Sequence, residues 1–480
     1  MSSPDLNLAA FLPELLLGAA ALVALLSGAL SREARFVGPL SSVLLLAAIV
    51  AWWQADPAAV SFGGQYGGDG TAYFARGLFL VTALVLTFLA AGGRALVKAR
   101  HAEFLSLLYI SALGMMVMSA AQNFAIIFLG LETMSIPLYV MAAYERTDSA
   151  SIEAGVKYFL YGAFASAFFV YGMALLFLSA GTLDIPRVYA AAHAPVAITG
   201  LLLILVGLAF KVAAVPFHMW APDAYSGAPT LVTAFFAIAP KAAGFLALVR
   251  WVATANHVAG SEGTVALCSA LAFLTILGGN LGALVQSRLK RMLAYSSVAH
   301  AGYLLLALVA PDSGGTQALL FYLVAYAVMT LGAFVVLLVY ERDGGAATYD
   351  EISGRGYQRP ALSLCMTVFM VSLAGLPGTI GFIGKLQIFK SAVLSGHVIL
   401  VIVAVTGTLV SVAYYLRVVV YLYMRGESDR ALTASPRVWA VAALLLAAGT
   451  VILGVFPEIL WPALASLGSA GSVDSTWAGP

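Results

Sequence analysis

Charge is the scarcest feature of this sequence. Only 24 Lys and Arg and 22 Asp and Glu occur in 480 residues, 10% of the chain, where soluble domains carry about 25%; a water-soluble globule is excluded. A net charge of +2 leaves no domain-wide basic surface to neutralise phosphates, so nucleic-acid binding is excluded as well. Cysteine is nearly missing. Cys268 and Cys365 stand far apart in apolar runs and offer no CxxC pair, no thiolate metal site and no disulfide framework. No Walker or GxGxxG loop opens a helix, which removes support for ATP or dinucleotide binding. Of the six histidines only His300 lies deep in an apolar stretch, so a pair of axial haem ligands is not on offer. Long loops are lacking too: only 54–72 and 341–359 approach twenty residues, too short for an inserted soluble domain.

Apolar residues fill the space, 62% of the chain with a mean hydropathy of +0.97. At about 20 residues per spanning helix this supply suits an all-α membrane protein of about 14 transmembrane helices. Runs bounded by charge, Gly or Pro predict spans near 9–30, 37–53, 75–92, 103–121, 123–143, 155–180, 196–217, 229–252, 262–285, 292–311, 316–340, 360–394, 397–424 and 437–460. The opening stretch SSPDLNLAAFLPELLLG has neither a basic leader nor a small-residue cleavage site, which predicts a retained first helix.

Lys and Arg resist crossing to the outside during insertion. The odd-numbered loops hold 15 of them: Arg32, Arg35, Arg94, Lys98, Arg100, Arg146, Arg288, Lys290, Arg291, Arg342, Arg355, Arg359, Arg425, Arg430 and Arg437. The even-numbered loops hold Arg187 and Arg250, with Arg76 and Lys390 at span edges. The asymmetry predicts odd loops in the cytoplasm and both termini outside, that is, periplasmic in a bacterial inner membrane. Trp52, Trp53, Trp220, Trp251 and Trp461 fall at span ends, where indoles favour the headgroup layer.

Two spans are interrupted alike. Span seven reads GLAFKVAAVPFHMWAPDAY and span twelve SLAGLPGTIGFIGKLQIF, each with a proline in the apolar run and a lysine nearby. Pro216 and Pro377 are five spans apart, and an odd number of helices per repeat turns the second copy upside down. The pattern predicts two inverted five-helix repeats with broken helices seven and twelve, the arrangement that places a transport site near the midplane. A proline that merely kinks a packed helix is the competing reading.

The ionisable residues far from any span end carry most information: Glu132 in IIFLGLETMSIPLYV, Lys211 in LVGLAFKVAAV, Lys241 in FAIAPKAAGFL, His300 in YSSVAHAGYLL and Lys385 in IGFIGKLQIF, with Lys157 nearer the start of span six. Each mid-membrane charge costs at least about 2.5 to 3.5 kcal/mol, so a set of them needs a use. Their chemistry suits proton handling: burial weakens a lysine's hold on its proton and an approaching carboxylate strengthens it, so moving one partner switches the proton. Glu132 is the candidate carboxylate, with Lys157 or Lys211 as its partner. A static ion pair that sets helix register competes with this reading, as does a packing role for His300. His218 and Asp223 read as helix-end caps, and Glu14 as a carboxylate that snorkels to the surface.

The strings LGLETMSIPLYVM, GVKYFLYGAFASAF, GLAFKVAAVPFHMWAPDAYSGAPT, KRMLAYSSVAHAGY and LAGLPGTIGFIGKLQIF resemble the antiporter-like proton-pumping subunits of respiratory complex I, NADH-quinone oxidoreductase. The likeness spans nearly the whole chain and is greatest for the subunit N branch: subunit L is expected to continue into a long lateral helix, and subunit M to carry Glu where Lys385 stands. The resemblance implies three N-terminal transmembrane helices over 1–102, a first five-helix repeat over 103–254, a second, inverted one over 260–426, and a C-terminal helix with a short tail over 435–480. It implies Glu132 and Lys211 as a coupling pair, Lys241 as central relay, Lys385 as outlet, and Lys157 and His300 on the same proton relay. The implied partners are other membrane subunits within the lipid bilayer. FMN, iron-sulfur clusters and quinone are expected in partner subunits, with no cofactor or metal in this one. The alternative is a subunit of a multi-subunit cation/proton antiporter, which shares the fold and the lysines; a purely structural membrane anchor is a third reading.

Overall fold

The computed structural model describes residues 7–30, 37–92, 101–189, 194–342, 348–426 and 435–469. Arg32, Arg35, Arg94, Lys98, Arg100 and Arg430, counted above toward orientation, lie outside them, as do residues 2–6 of the opening stretch. The helices are α1 (Leu12–Leu30), α2 (Val37–Gln54), α3 (Gly70–Gly92), α4 (His101–Ala120), α5 (Phe124–Ala142), α6 (Ser149–Ala180), α7 (Ile185–Val188), α8 (Pro195–Val212), α9 (Trp220–Gly227), α10 (Thr230–Ala259), α11 (Ser261–Leu284), α12 (Leu289–Leu308), α13 (Gly315–Arg342), α14 (Arg355–Gln358), α15 (Pro360–Ala374), α16 (Ile380–Leu394), α17 (Val398–Met424), α18 (Arg437–Val455) and α19 (Trp461–Ser469). A two-residue hairpin, β1 (Val60–Ser61) with β2 (Tyr66–Gly67), is the sole sheet among the described residues. Eleven of the described helices are long and apolar enough to cross a membrane. The chain is an all-α membrane protein.

Helix ends follow local chemistry. Asn123 caps α5 by accepting from the Ala125 N–H at 2.8 Å, and Asp148 caps α6 by accepting from that of Ala150 at 3.0 Å. The second cap explains why α6 starts at Ser149, several residues before the apolar run suggests: SASIE is polar but helical once its first N–H groups are satisfied. Gly181, at φ +69°, closes α6 with its N–H on the Phe177 carbonyl.

The core lies around α10, of which 94% of the central window is buried, against 22% for α6. An apolar helix covered on all sides sits in the centre of a bundle, and α10 touches α3, α4, α8, α11 and α13. The rim helix α6 instead shows Phe164, Tyr171 and Leu178 to its surroundings.

Both interrupted spans break as the prolines suggest. The first stops at Val212 with Ala213 in the left-handed region, φ +59°, and resumes as α9; the second stops at Ala374 with Gly375 at φ +82° and resumes as α16.

Two sequence expectations are corrected. Trp220 and Trp251 are buried, and their indole N–H groups donate to the Phe210 and Leu201 carbonyls at 2.9 and 2.8 Å; they tie helices together inside the bundle. Glu14 does not snorkel. It is buried in the first turn of α1, where its Oε1 accepts from Arg76 Nε at 2.8 Å and from the Tyr66 hydroxyl at 2.5 Å, so the hairpin and α3 supply the compensation that water would have given.

Candidate functional site

Each mid-membrane charge is held by a small polar group from a neighbouring helix. On α5, Glu132 is half-buried, and Ser166 of α6 donates to its Oε1 at 2.5 Å. One turn further on, Ser135 accepts from Lys211 Nζ at 2.9 Å, and the Tyr158 hydroxyl of α6 accepts from the same ammonium at 3.2 Å. The Lys211 ammonium also lies 5.5 Å from the centre of the Tyr158 ring, which is itself stacked on Trp220 at 4.3 Å. Between Ser166 and Ser135 is a cavity of about 10 Å³ that Lys211 also lines, the room one water needs. No ion pair joins Glu132 to Lys211 among the described residues; serines and this cavity stand between them.

Lys211 sits in the last turn of α8, where freed carbonyls concentrate negative potential. Gly244 of α10 lets the two helices meet: a Cβ there would lie 2.7 Å from Val212 and 3.7 Å from the Lys211 stem. Lys241, nearly one turn away on α10, donates to both the hydroxyl and the carbonyl of Ser297 on α12. Its ammonium lies 5.7 Å from the centre of the Tyr326 ring, and that ring lies 5.0 Å from His300.

His300 is fully enclosed. Its Nδ1 pairs with the Tyr322 hydroxyl at 2.5 Å and its Nε2 with that of Tyr415 at 3.0 Å, while Ser296 and Tyr415 share a further bond. The packing and relay readings of this histidine are compatible here, because the bonds that fix the ring are themselves between exchangeable protons. Beyond it, Lys385 lies with its ammonium 4.9 Å from the centre of the Tyr303 ring and donates to the Leu373 and Ala374 carbonyls at 3.0 and 3.2 Å. Those are last-turn carbonyls of α15, left without helical partners by the break at Gly375.

Five of the six sequence-selected residues therefore lie along the bundle interior, from Glu132 through Lys211, Lys241 and His300 to Lys385. Lys157 stands apart. It is part-exposed on the rim, paired with Glu153 at 2.6 Å and with Asp223 of α9 at 3.0 Å, and lies nine residues along α6 from the serine that holds Glu132. Asp223, read above as a cap, also pairs with Arg291 of α12 at 2.7 Å, and so joins α6 to α12.

The residues that sequence reasoning missed are the partners: Ser135, Ser166, Tyr158, Ser297, Tyr322, Tyr326 and Tyr415. The spacing of Tyr322 and Tyr326 puts both on one face of α13, a signal that was present, but a tyrosine in an apolar run is equally a core residue. Outside the spans, Asp69 accepts from Arg250 at 2.8 Å and from Gln122 at 3.0 Å. Burial pushes its carboxyl up, yet the Arg250 guanidinium, with the Thr71 hydroxyl and Ala72 N–H, outweighs that and holds it below the usual range.

Comparison with known proteins gives consistent results. The transmembrane family described as NADH:quinone oxidoreductase/Mrp antiporter matches residues 121–411. NADH-quinone oxidoreductase subunit N of Trichlorobacter lovleyi is 39% identical over 469 residues, which cover 95% of this chain and 96% of that one. A chain of respiratory complex I from Thermus thermophilus, solved with bound aureothin, superposes with a TM-score of 0.82 at 33% identity, over 95% of this chain and 99% of its own. A chain of the Mrp complex from a Dietzia species superposes with a TM-score of 0.85 over 98% of each chain at 21% identity, a likeness of fold alone.

Proposed function

The chain belongs to the NADH-quinone oxidoreductase subunit N family, and from that premise we infer how its interior charges serve a proton-translocating membrane subunit of that enzyme. As a multi-pass subunit of respiratory complex I it works with the other subunits of the assembly. We place it in a bacterial inner membrane with fourteen spans: the eleven long helices, the shorter α2, the less apolar α12, and α15 with α16 as one broken span. α8 with α9 forms the other broken span. The two breaks five spans apart support inverted repeats over 103–254 and 260–426, after three helices in 1–102 and before a last helix in 435–480. The basic loops support a cytoplasmic placement of the odd-numbered connections and periplasmic termini. FMN, iron-sulfur clusters and quinone then belong to partner subunits.

In this reading a change delivered at Glu132 from a neighbouring subunit alters the Ser166 and Ser135 contacts and releases a proton from Lys211. The proton passes through Lys241 and Ser297 to the His300 cluster and on to Lys385 and the outside. The energies match. Moving one charge across 100 mV takes about 2.3 kcal/mol, and a movement that brought the Glu132 carboxylate from behind the serines to about 4 Å from the Lys211 ammonium, at an effective dielectric of about 20, is worth at most about 4 kcal/mol. Lys157, held by Asp223 and Glu153, supplies the surface end of the relay.

The observation that carries this reading is the set of hydroxyl and imidazole groups between Lys241 and Lys385: Ser297 on the Lys241 ammonium, and His300 held by Tyr322 and Tyr415, with Ser296 on Tyr415. A static ion-pair scaffold would place carboxylates there. The test is proton pumping in vesicles reconstituted with the whole complex: Lys211→Ala or Glu132→Ala abolishes NADH-driven acidification while the complex remains assembled. Pumping at the parental rate in both variants sinks the assignment.

A further inference from the structure

Away from the lysine series, α11 and α17 are pressed together at Gly407, where a Cβ would lie 2.6 Å from Ile276 and 2.9 Å from the Asn280 amide. At the end that the basic loops make cytoplasmic, a cleft of about 460 Å³ lies between α17, the 285–287 segment that follows α11, and Tyr349. Its polar lining is Arg417, Arg425, Gln286, Ser287, Tyr349 and Tyr421, with no carboxylate among the lining residues. Arg417 stands two turns inside α17, where a guanidinium among lipid tails is costly. It has no acidic partner among the described residues; it makes a long 3.4 Å bond to the Gln286 carbonyl, lies 5.6 Å from the centre of the Tyr349 ring and meets that residue's hydroxyl. Arg425 lies over Tyr421 at 4.5 Å and donates to that hydroxyl at 3.0 Å. The Tyr349 hydroxyl, on a side chain nine-tenths buried in the cleft wall, faces the Arg417 guanidinium. Glu351, two residues from Tyr349, accepts from the Thr348 N–H at 3.1 Å.

Two further features set the depth of the cleft. Tyr349 and Tyr421, and beside them Tyr357 and Tyr423, form paired ring contacts at one level, as tyrosines do at the headgroup layer. Toward the membrane interior Leu281, Leu409 and Leu416 are exposed.

We propose that this cleft binds the phosphate of an anionic phospholipid of the cytoplasmic leaflet, between Arg417 and Arg425, with its acyl chains along the apolar groove below. Basic pockets between helices on this side of a membrane suit such headgroups, and two guanidiniums with no carboxylate partner among the described residues, beside the Tyr349 hydroxyl, match a phosphodiester's acceptors. A neighbouring acidic protein segment would also meet the charges, but not the exposed leucines that continue the groove toward the tails.

The test uses the intact complex, delipidated in detergent and titrated with phosphatidylglycerol, phosphatidylcholine or inorganic phosphate while bound lipid is read by native mass spectrometry. Parental complex retains phosphatidylglycerol, whereas Arg417→Gln/Arg425→Gln binds it roughly thirtyfold more weakly with unchanged NADH oxidation; phosphatidylcholine and phosphate do not substitute. If the double variant does not assemble, Arg425→Gln alone, at an exposed position, weakens binding roughly fivefold. Equal phosphatidylglycerol retention by parent and variant overturns the proposal. So does protection by inorganic phosphate alone, or a photo-crosslinker at Val285 that captures a protein subunit in place of lipid.

Discussion

The two broken spans look alike in sequence and solve the same problem in opposite ways. Each interrupts a helix and frees last-turn carbonyls that cannot stay unpaired among apolar neighbours. In the α15–α16 break the lysine lies after the interruption and turns back, so that Lys385 bonds the freed Leu373 and Ala374 carbonyls. In the α8–α9 break the lysine lies before it, and other groups meet the freed backbone: the Ala214 N–H and the Trp220 indole donate to the Ala209 and Phe210 carbonyls, each at 2.9 Å, and Thr275 accepts from the freed Val215 N–H at 3.0 Å. Lys211 is thereby left to serine and tyrosine hydroxyls, near Glu132. A lysine bound to backbone is part of the scaffold, whereas one bound to hydroxyls can change partners without unsettling a helix end. On the proposed relay the comparison suits Lys211 to changing partners and Lys385 to an outlet whose ammonium also closes a helix end.

The largest expected effect comes from exchanging the residues that end the two first halves. Gly375→Val combines a left-handed φ with a Cβ placed 2.9 Å from the Lys385 chain, and is expected to cost about 3 kcal/mol or more, so that little assembled complex accumulates in membranes. Ala213→Gly at the other break relieves a left-handed non-glycine residue and loses one buried methyl; it should stay within about 1 kcal/mol of the parent. Equal damage from both would erase the distinction.

Next in size is Lys385→Ala, which leaves two buried carbonyls without donors at about 1 to 3 kcal/mol each. It should lower both the thermal midpoint of the purified complex and its pumping, while Lys211→Ala lowers pumping with a smaller shift of the midpoint. Trp220→Phe keeps the stack on Tyr158 and removes only the bond to Phe210, for about 1 kcal/mol; denaturation of the detergent-solubilised complex measures it.

The smallest effect concerns pH and lies outside both breaks. Because the folded Asp69 carboxyl is held below its usual range, its contribution is present above the unfolded pKa and is lost as pH falls through the folded one. Asp69→Asn is therefore less stable than the parent at pH 7, and the two converge on acidification. A gap that persists unchanged in acid would show that Asp69 acts through its helix-capping bonds and not its charge.

The spans, their interruptions and the buried charges were legible because lipid imposes them through composition: a run of about 20 apolar residues is needed to cross, and any lysine within it is conspicuous. The companions of those charges were not legible. Ser135, Ser297 and Tyr415 cost little in an apolar helix and carry no mark of what they face. Lys157 is one of two lysines the sequence offers to Glu132, yet it pairs with Asp223, which looked like a helix cap.

Sequence alone determined that this chain lives in a membrane, where its helices stop, and which residues carry charge inside it, since each follows from the cost of taking a group out of water. Only the tertiary structure decided which charge meets which partner. Many of these helices are apolar around their whole circumference, so the pattern does not specify how each is turned, and contacts such as His300 with Tyr415, 115 residues apart, exist only once close packing has chosen the faces.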